Sequence, residues 1–438
     1  MSLARLSEEK ERLACVEETR DSSTTSMFTS RRRVALDLLL VCWGLGTWLG
    51  VNGLFVQLPL LVERLPEGWS LPSAMSVAIQ SANIGLLIYA SLRKVTRISD
   101  TTCIYGLLAI GTIALFLNSF LFPKTVLIGD KEKSVAFLTL TFFVALVGCT
   151  SSVLFYPYLR HYREIYLATY LVGEGLSGFI PSIIALIQGV GGEPDCVPAG
   201  NNTFQAVFPP PRFDSTVFIV LLGILSALSL ISFCILHNYS GFSSERVKEG
   251  EAAKEEEASL PRVSLLKPEW IGLMVLMAVL NALSSGVMPS IQSFSCLPYG
   301  RQAYHLSVTL GAMANPTACL AGVWLKPVRG RWLTLMLTLS AVLLAYIFVT
   351  AVQSPTPPLY TQTSGVIIIV VSWVVCSGLV SYARMWVFAS ARRGGARGMR
   401  QCGALSQLGS AFGSITLYCL INYTQFFNQA PDCPARPS

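Results

Sequence analysis

Residues Gly46 to Pro72 read GTWLGVNGLFVQLPLLVERLPEGWSLP, and the fold class follows from how such a stretch can exist. It is apolar enough to enter a bilayer as a helix, yet it carries Asn52, Gln57 and Pro59 inside the apolar run. It leaves through Leu65-Pro66-Glu67-Gly68-Trp69, a turn signature. At 3.6 residues per turn it has two faces. Gly46, Gly50, Gly53 and Gln57 make a face with little side chain, suited to close helix packing. Trp48, Asn52, Phe55 and Pro59 make the opposite face, on which two aromatic rings bracket one amide. An amide in hydrocarbon needs a partner, so this second face is expected to look onto a polar cavity.

Composition extends that reading to the whole chain. Hydrophobic residues are 52% and charged residues 13%, far from a soluble globular mixture. Apolar runs long enough to cross a core of about 30 Å recur throughout. They predict an all-α polytopic membrane protein of eleven spans: 34–61, 71–92, 101–122, 134–156, 164–189, 214–236, 269–293, 302–325, 331–352, 362–390 and 401–427. Residues 1–33 are polar, with no apolar run before a cleavage site, and read as a cytosolic tail rather than a signal peptide. Residues 34–236 form an expected six-helix bundle and 237–268 a cytosolic linker. Residues 269–427 form an expected five-helix bundle, and 428–438 an extracellular tail.

Orientation follows from the basic residues. With the N-terminus inside, the tail and alternate loops hold 24 of the 32 lysines and arginines, and the opposite loops hold 7. This predicts a cytosolic N-terminus and an extracellular C-terminus. The net charge of +7 belongs to that bias, so no nucleic-acid partner is implied. Asn201-Asn202-Thr203 is a glycosylation sequon in an outer loop; the sequon at Asn238 falls on the cytosolic side and should stay bare. Cys196, Cys296 and Cys433 reach the outer side, where a disulfide is permitted, and at least one of the three must stay unpaired.

Motifs for soluble catalysis are missing: there is no P-loop, dinucleotide fingerprint, HExxH or GxSxG, and no Cys/His metal spacing. The sequence therefore predicts no enzyme, no cofactor and no metal. Polar residues at helical spacing inside the spans carry the information instead. They are Gln80 and Asn83 in the second span, Tyr170, Glu174 and Ser177 in the fifth, and Asn281 and Gln292 in the seventh. Each is costly against lipid and cheap against a hydrated cavity or a neighbouring helix. For a single serine, helix–helix glue is the better reading; for mid-span amides, glue and ligand binding stand level. Glu174 is the main intramembrane carboxylate. So few charges suit an uncharged solute.

These residues lie within blocks that resemble the eukaryotic riboflavin transporters, solute carrier family 52. The blocks include Asn52-Gly53-Leu54 with Leu58-Pro59, the Leu65–Trp69 turn, and Gly173-Glu174-Gly175-Leu176-Ser177. They continue in Asn281-Ala282-Leu283, Pro289-Ser290-Ile291-Gln292-Ser293, Ser295-Cys296-Leu297-Pro298-Tyr299-Gly300, and Ala314-Asn315-Pro316. The resemblance implies a plasma-membrane riboflavin carrier with a fold similar to equilibrative nucleoside transporters and the major facilitator group. Two bundles would rock about a midplane site. Riboflavin and the lipid bilayer are the partners it implies. Within that frame Asn52, Gln80, Asn83, Glu174, Asn281 and Gln292 are expected polar contacts, and Trp48, Phe55 and Tyr170 aromatic walls. A nucleoside or nucleobase carrier shares the imide-edge chemistry and is the alternative. A non-transporting cell-surface receptor is the alternative of another class.

The family typically has Trp-Val-Glu-Leu-Pro where this chain has Phe55-Val56-Gln57-Leu58-Pro59. Gln57 removes a titratable group, so together with Glu174 it bears on pH response. Uptake measured across external pH is expected to vary only gently; steep acid activation would contradict the argument from the missing carboxylate.

Overall fold

The computed structural model describes residues 34–95, 99–159, 162, 164–190, 195–198, 204–245, 268–324, 330–391 and 395–429. The tail, most of the 237–268 linker, Asn201 and Cys433 lie outside the described residues. The predicted first span is three helical pieces: α1 (Val34–Leu45), α2 (Leu49–Val56) and α3 (Leu58–Leu61). The second is two, α4 (Leu71–Ser81) and α5 (Ile84–Val95). Then follow α6 (Asp100–Leu121), α7 (Val135–Leu159), α8 (Glu164–Gln188) and α9 (Ser215–Asn238). The later part has α10 (Pro268–Asn281), a π-helical turn at Ala282–Val287, α11 (Met288–Cys296), α12 (Arg301–Trp324), α13 (Gly330–Val352), α14 (Thr363–Ala391) and α15 (Gly395–Tyr423). Two short antiparallel hairpins, Val126–Ile128 with Lys131–Lys133 and Asp195–Pro198 with Phe204–Val207, were not expected from the apolar pattern.

Each predicted span thus coincides with helical chain. Among the described residues, seven helices are long and apolar enough to cross a membrane, or eight if the bent pair α1–α2 is one span. The other three predicted spans are the broken α4–α5 segment, α7 (apolar over Val135–Ser151) and α12, so length and apolarity alone do not carry the count of eleven.

The breaks have local causes, and the polar groups they release find partners. Between α1 and α2 the axis turns by 53°. There Thr47 Oγ1 donates to the Gly44 carbonyl (2.7 Å), and Ser229 Oγ on α9 donates to the Trp43 carbonyl (2.8 Å). Pro59, which has no N–H to give, sits in the first turn of the next helical piece, which begins after Gln57. At the π turn, Ser290 Oγ donates to the Gly286 carbonyl (2.7 Å) and Ser414 Oγ to the Ser285 carbonyl (3.3 Å).

Glycine sets the helix spacing. On the small face of the first span, a β-carbon on Gly46 would lie 2.2 Å from Ser229 Oγ, on Gly50 2.3 Å from Val144, and on Gly53 2.3 Å from Leu222. Gln57 continues this face and donates to Ser215 Oγ on α9 at 2.9 Å. The predicted packing face therefore packs, mainly on α9 and α7. In the later part, α10, the π turn and α15 meet through Gly286, Gly409 and Gly413, each against backbone of the facing helix.

Trp43 on α1 is the hub of an aromatic cluster with Phe155, Tyr158, Tyr170 and Phe233, at ring-centroid distances of 5.0 to 5.6 Å. Apolar side chains such as Ile113, Phe120, Val275 and Leu335 point outward, as lipid contact requires. Helices before and after the linker meet where α8 and α2 touch α12 and where α4 touches α11 and α15.

Gly286→Val would force side-chain atoms into Gly413 backbone only 2.5 Å from the added β-carbon, while a β-carbon on Gly106 meets nothing within 4 Å. In a thermal-unfolding assay in detergent, Gly286→Val is expected to destabilise by about 1–3 kcal/mol. Gly106→Ala, with no new clash and a stiffer unfolded chain, is expected to be neutral or slightly stabilising.

Candidate solute site

The bend between α1 and α2 turns the aromatic–amide face of α2 toward α7, α8 and α12. Trp48 is half-buried and its ring lies against Gly148 of α7, where an added β-carbon would sit 2.7 Å from the indole. One turn on, Asn52 is half-buried and donates through Nδ2 to Ser177 Oγ on α8 at 3.3 Å. A β-carbon on the neighbouring Gly178 would lie 3.4 Å from Asn52 Nδ2 and 3.6 Å from the Ala312 carbonyl of α12. Asn52 therefore sits where a helix pair of the first half meets the second. Phe55, a further turn along, is half-buried and packs on the main core.

Glu174 lies one turn before Ser177 on α8, also half-buried, and its Oε2 accepts from Tyr156 of α7 at 3.0 Å. Ser177 donates to the Glu174 carbonyl at 2.6 Å. Asn52, Tyr156, Glu174 and Ser177 thus form one polar cluster on three helices, with Trp48 beside it on α2. Sequence reasoning did not single out Tyr156. The available signal was a phenol following the run Val153-Leu154-Phe155, one helical turn after Ser152.

The other expected contacts lie elsewhere. Tyr170 is 1% exposed, with its ring centroid 5.0 Å from that of Trp43, so in this arrangement it is packed within the aromatic cluster. Gln80 and Asn83 flank the α4–α5 break and bond to each other, Asn83 Nδ2 donating to Gln80 Oε1 at 3.1 Å. Asn281 is buried and donates to the Met277 carbonyl of its own helix at 2.8 Å, which supports the last turn before the π segment. Gln292 is half-buried on α11. No hydrogen bond between described residues joins these four to Asn52. A cleft of about 480 Å³ lies beside α8, α12 and α14, lined by Phe179, Leu310, Met313, Thr317 and Val374. Its nearly apolar walls cannot orient a hydrogen-bonding solute, and none of the expected site residues lines it.

One end of the molecule is tied across the two halves. Arg301, at the start of α12, grips Glu63 side-on through Nε and Nη2, with Nη2 to Oε2 at 2.6 Å. The two side chains are only 5% and 12% exposed, and the Arg301 guanidinium also lies 4.8 Å from the centroid of the Phe208 ring. Beside this pair, Ser293 Oγ donates to the Trp69 carbonyl (2.6 Å) and Gln429 accepts from the Trp69 amide (3.4 Å). Gly68 makes the close turn possible: its φ is +54°, and a β-carbon there would meet Gln429 at 2.9 Å. Cys296, at the end of α11, is a fully buried free thiol, whereas Cys196 is in a disulfide.

Comparison with known proteins matches this chain to the family described as solute carrier family 52, riboflavin transporter, over residues 32–262 and 243–429. A zebrafish (Danio rerio) riboflavin transporter, member 3-A of that family, is 35% identical over 90% of this chain and 97% of its own. The human member 2 is 34% identical over 92% of this chain and 98% of its own. Among solved structures, a point mutant of the nucleoside transporter NupG aligns with TM-score 0.53 at 12% identity, covering 88% of this chain and 90% of that one. A D-xylose-proton symporter aligns with TM-score 0.54 at 12% identity, covering 88% and 89%. At that identity the structural likeness concerns the fold alone.

Removing either partner of a buried ion pair strands the other charge, at a cost of about 3–5 kcal/mol. Arg301→Ala and Glu63→Ala are each expected to lower the thermal midpoint in detergent, and the exchanged pair Glu63→Arg with Arg301→Glu to recover part of the loss. Equal destabilisation by the single and the exchanged variants would show that the pair's mutual attraction contributes nothing.

Proposed function

The chain belongs to solute carrier family 52, the riboflavin transporters, and from that premise we propose that it carries riboflavin across the plasma membrane by alternating access. The observation that carries the reading is the position of Asn52. A mid-membrane amide, one turn after a half-buried indole and bonded to Ser177, stands where α2 and α8 meet α12. A solute held there touches both halves, so a rocking motion of one half against the other would carry it from side to side.

Riboflavin fits that chemistry. It is uncharged at physiological pH, with a flat ring system, an imide edge and a hydroxylated chain. Trp48 and Phe55 offer ring surface, and Asn52, Ser177 and Glu174 offer hydrogen bonds to an edge. Gln80, Asn83, Asn281 and Gln292 remain candidates for contact in another stage of the cycle, since α4, α11 and α15 also meet across the two halves. The present bonds of Gln80, Asn83 and Asn281 support the breaks in their own helices, and a moving helix would release them.

In this reading the halves are residues 34–236 and 269–427, with the cytosolic linker between them. The Glu63–Arg301 pair closes the extracellular mouth, and the N-terminus is cytosolic. The C-terminus is extracellular, and Asn201 carries glycan. Translocation requires no covalent chemistry, so the protein acts as a carrier and not as an enzyme.

Cells expressing the chain are expected to take up labelled riboflavin, with competition by unlabelled flavins and none by uridine. Uptake blocked by uridine and indifferent to flavins would replace this reading with nucleoside transport. Asn52→Ala and Trp48→Ala are each expected to reduce uptake at least about tenfold with unchanged surface abundance.

A further inference from the structure

The protein itself sets the hydrogen-bond polarity around Asn52. Ser177 Oγ has one proton and donates it to the Glu174 carbonyl at 2.6 Å. Toward Asn52 it can therefore only accept. The amide must turn Nδ2 to Ser177, as observed at 3.3 Å, and hold Oδ1 away from it. Tyr156 likewise has one proton and donates it to Glu174 Oε2 at 3.0 Å, which leaves Oε1 of that carboxylate without a hydrogen-bond partner among the described residues. Asn52 Oδ1 and Glu174 Oε1 are not among the sealed, unpartnered polar atoms of the interior, and both residues are half-buried. The cluster thus leaves two acceptor oxygens without partners among the described residues, while the Ser177 and Tyr156 protons and one of the two Asn52 N–H protons are already committed.

We propose that Asn52 Oδ1 and Glu174 Oε1 form an accepting edge that recognises the imide N–H of the flavin ring. Tyr156 is its positioning residue, aiming the carboxylate. The inference rests on the riboflavin reading and adds which atom of the solute is read. An imide N–H fits better than a chain hydroxyl because Trp48 and Phe55 stand on either side of Asn52 on the same helix face. Such a slot suits the edge of a flat ring. A site whose buried acceptors go unpaired discriminates strongly against an analogue lacking the donor.

The variants separate this role from a structural one. Glu174→Gln keeps the shape, but with Tyr156 still donating to its one oxygen it presents an N–H₂ where the acceptor was. Tyr156→Phe keeps the ring and frees the carboxylate to swing. The test measures competition against labelled riboflavin uptake by riboflavin and by 3-methylriboflavin, in which the imide proton is replaced by a methyl group. In the unmodified protein the methylated compound is expected to compete at least about tenfold more weakly. That ratio is expected to fall several-fold in Tyr156→Phe, and toward unity in Glu174→Gln. Should Glu174→Gln transport too little to measure, the same ratio is read as Kd by quenching of flavin fluorescence on the purified full chain.

Equal competition by the two compounds in the unmodified protein, with riboflavin uptake intact, would overturn the accepting edge and leave the transport reading standing. A ratio unchanged in both variants would do the same, since loss of folding or abundance scales both competitors together. Absence of riboflavin uptake from a protein present at the surface would remove the transport reading and this inference with it.

Discussion

Backbone contact at glycine holds the first half of the chain in place, and the site depends on it. A β-carbon on Gly44 would sit 2.4 Å from the Tyr170 carbonyl, and one on Gly173 2.3 Å from the Val41 carbonyl. Two helices that approach so closely cannot slide or rotate without steric clash. In lipid this matters more than in water, because apolar side chains gain little by leaving hydrocarbon for one another and packing must supply the specificity. The α1–α8 contact places Glu174, Ser177 and Gly178 at a set height. The 53° bend after Leu45 then brings Asn52 against Ser177.

That arrangement has a second consequence. With α1 and α8 locked, Trp43 and Tyr170 are buried side by side, and the aromatic cluster becomes a rigid back wall. The polar and aromatic face left partly open is that of α2, where Trp48 and Asn52 stand half-buried. The same helix uses its glycine face and Gln57 to pack on α9. One short helix thereby separates a packing face from a half-buried aromatic and amide face by rotation about its axis, as the spacing of its residues requires.

The second half uses the same device for a different end. Glycines of α15 approach the π turn after Asn281 at backbone distance, and serines cap the carbonyls that the irregular turn releases. Polar residues of that region serve the backbone first. This is why Asn281, a plausible ligand contact by its place in an apolar span, is found donating to Met277. At the tied end, Arg301 and Glu63 share a desolvated ion pair, and Trp69 bonds through its backbone to Ser293 and Gln429. Charges that sit at separate loop edges in the sequence become one contact between halves.

By itself the sequence determined the class of molecule and the two faces of the 46–59 segment, because hydrophobic length and helical periodicity are local properties. It also carried the family, through several blocks in order. It did not determine which polar residues gather. Tyr156, Glu174 and Asn52 belong to three separate helices, and their meeting depends on helix crossing and rotation set by glycine contacts far apart in the chain. Tyr170 and Asn281 read as site residues because a polar group in a span must satisfy itself somewhere. Only the tertiary structure decided where: Tyr170 against Trp43, and Asn281 on its own backbone. The direction of each hydrogen bond around Asn52 was likewise beyond periodicity, since it depends on the single hydroxyl protons of Ser177 and Tyr156 being already committed to Glu174.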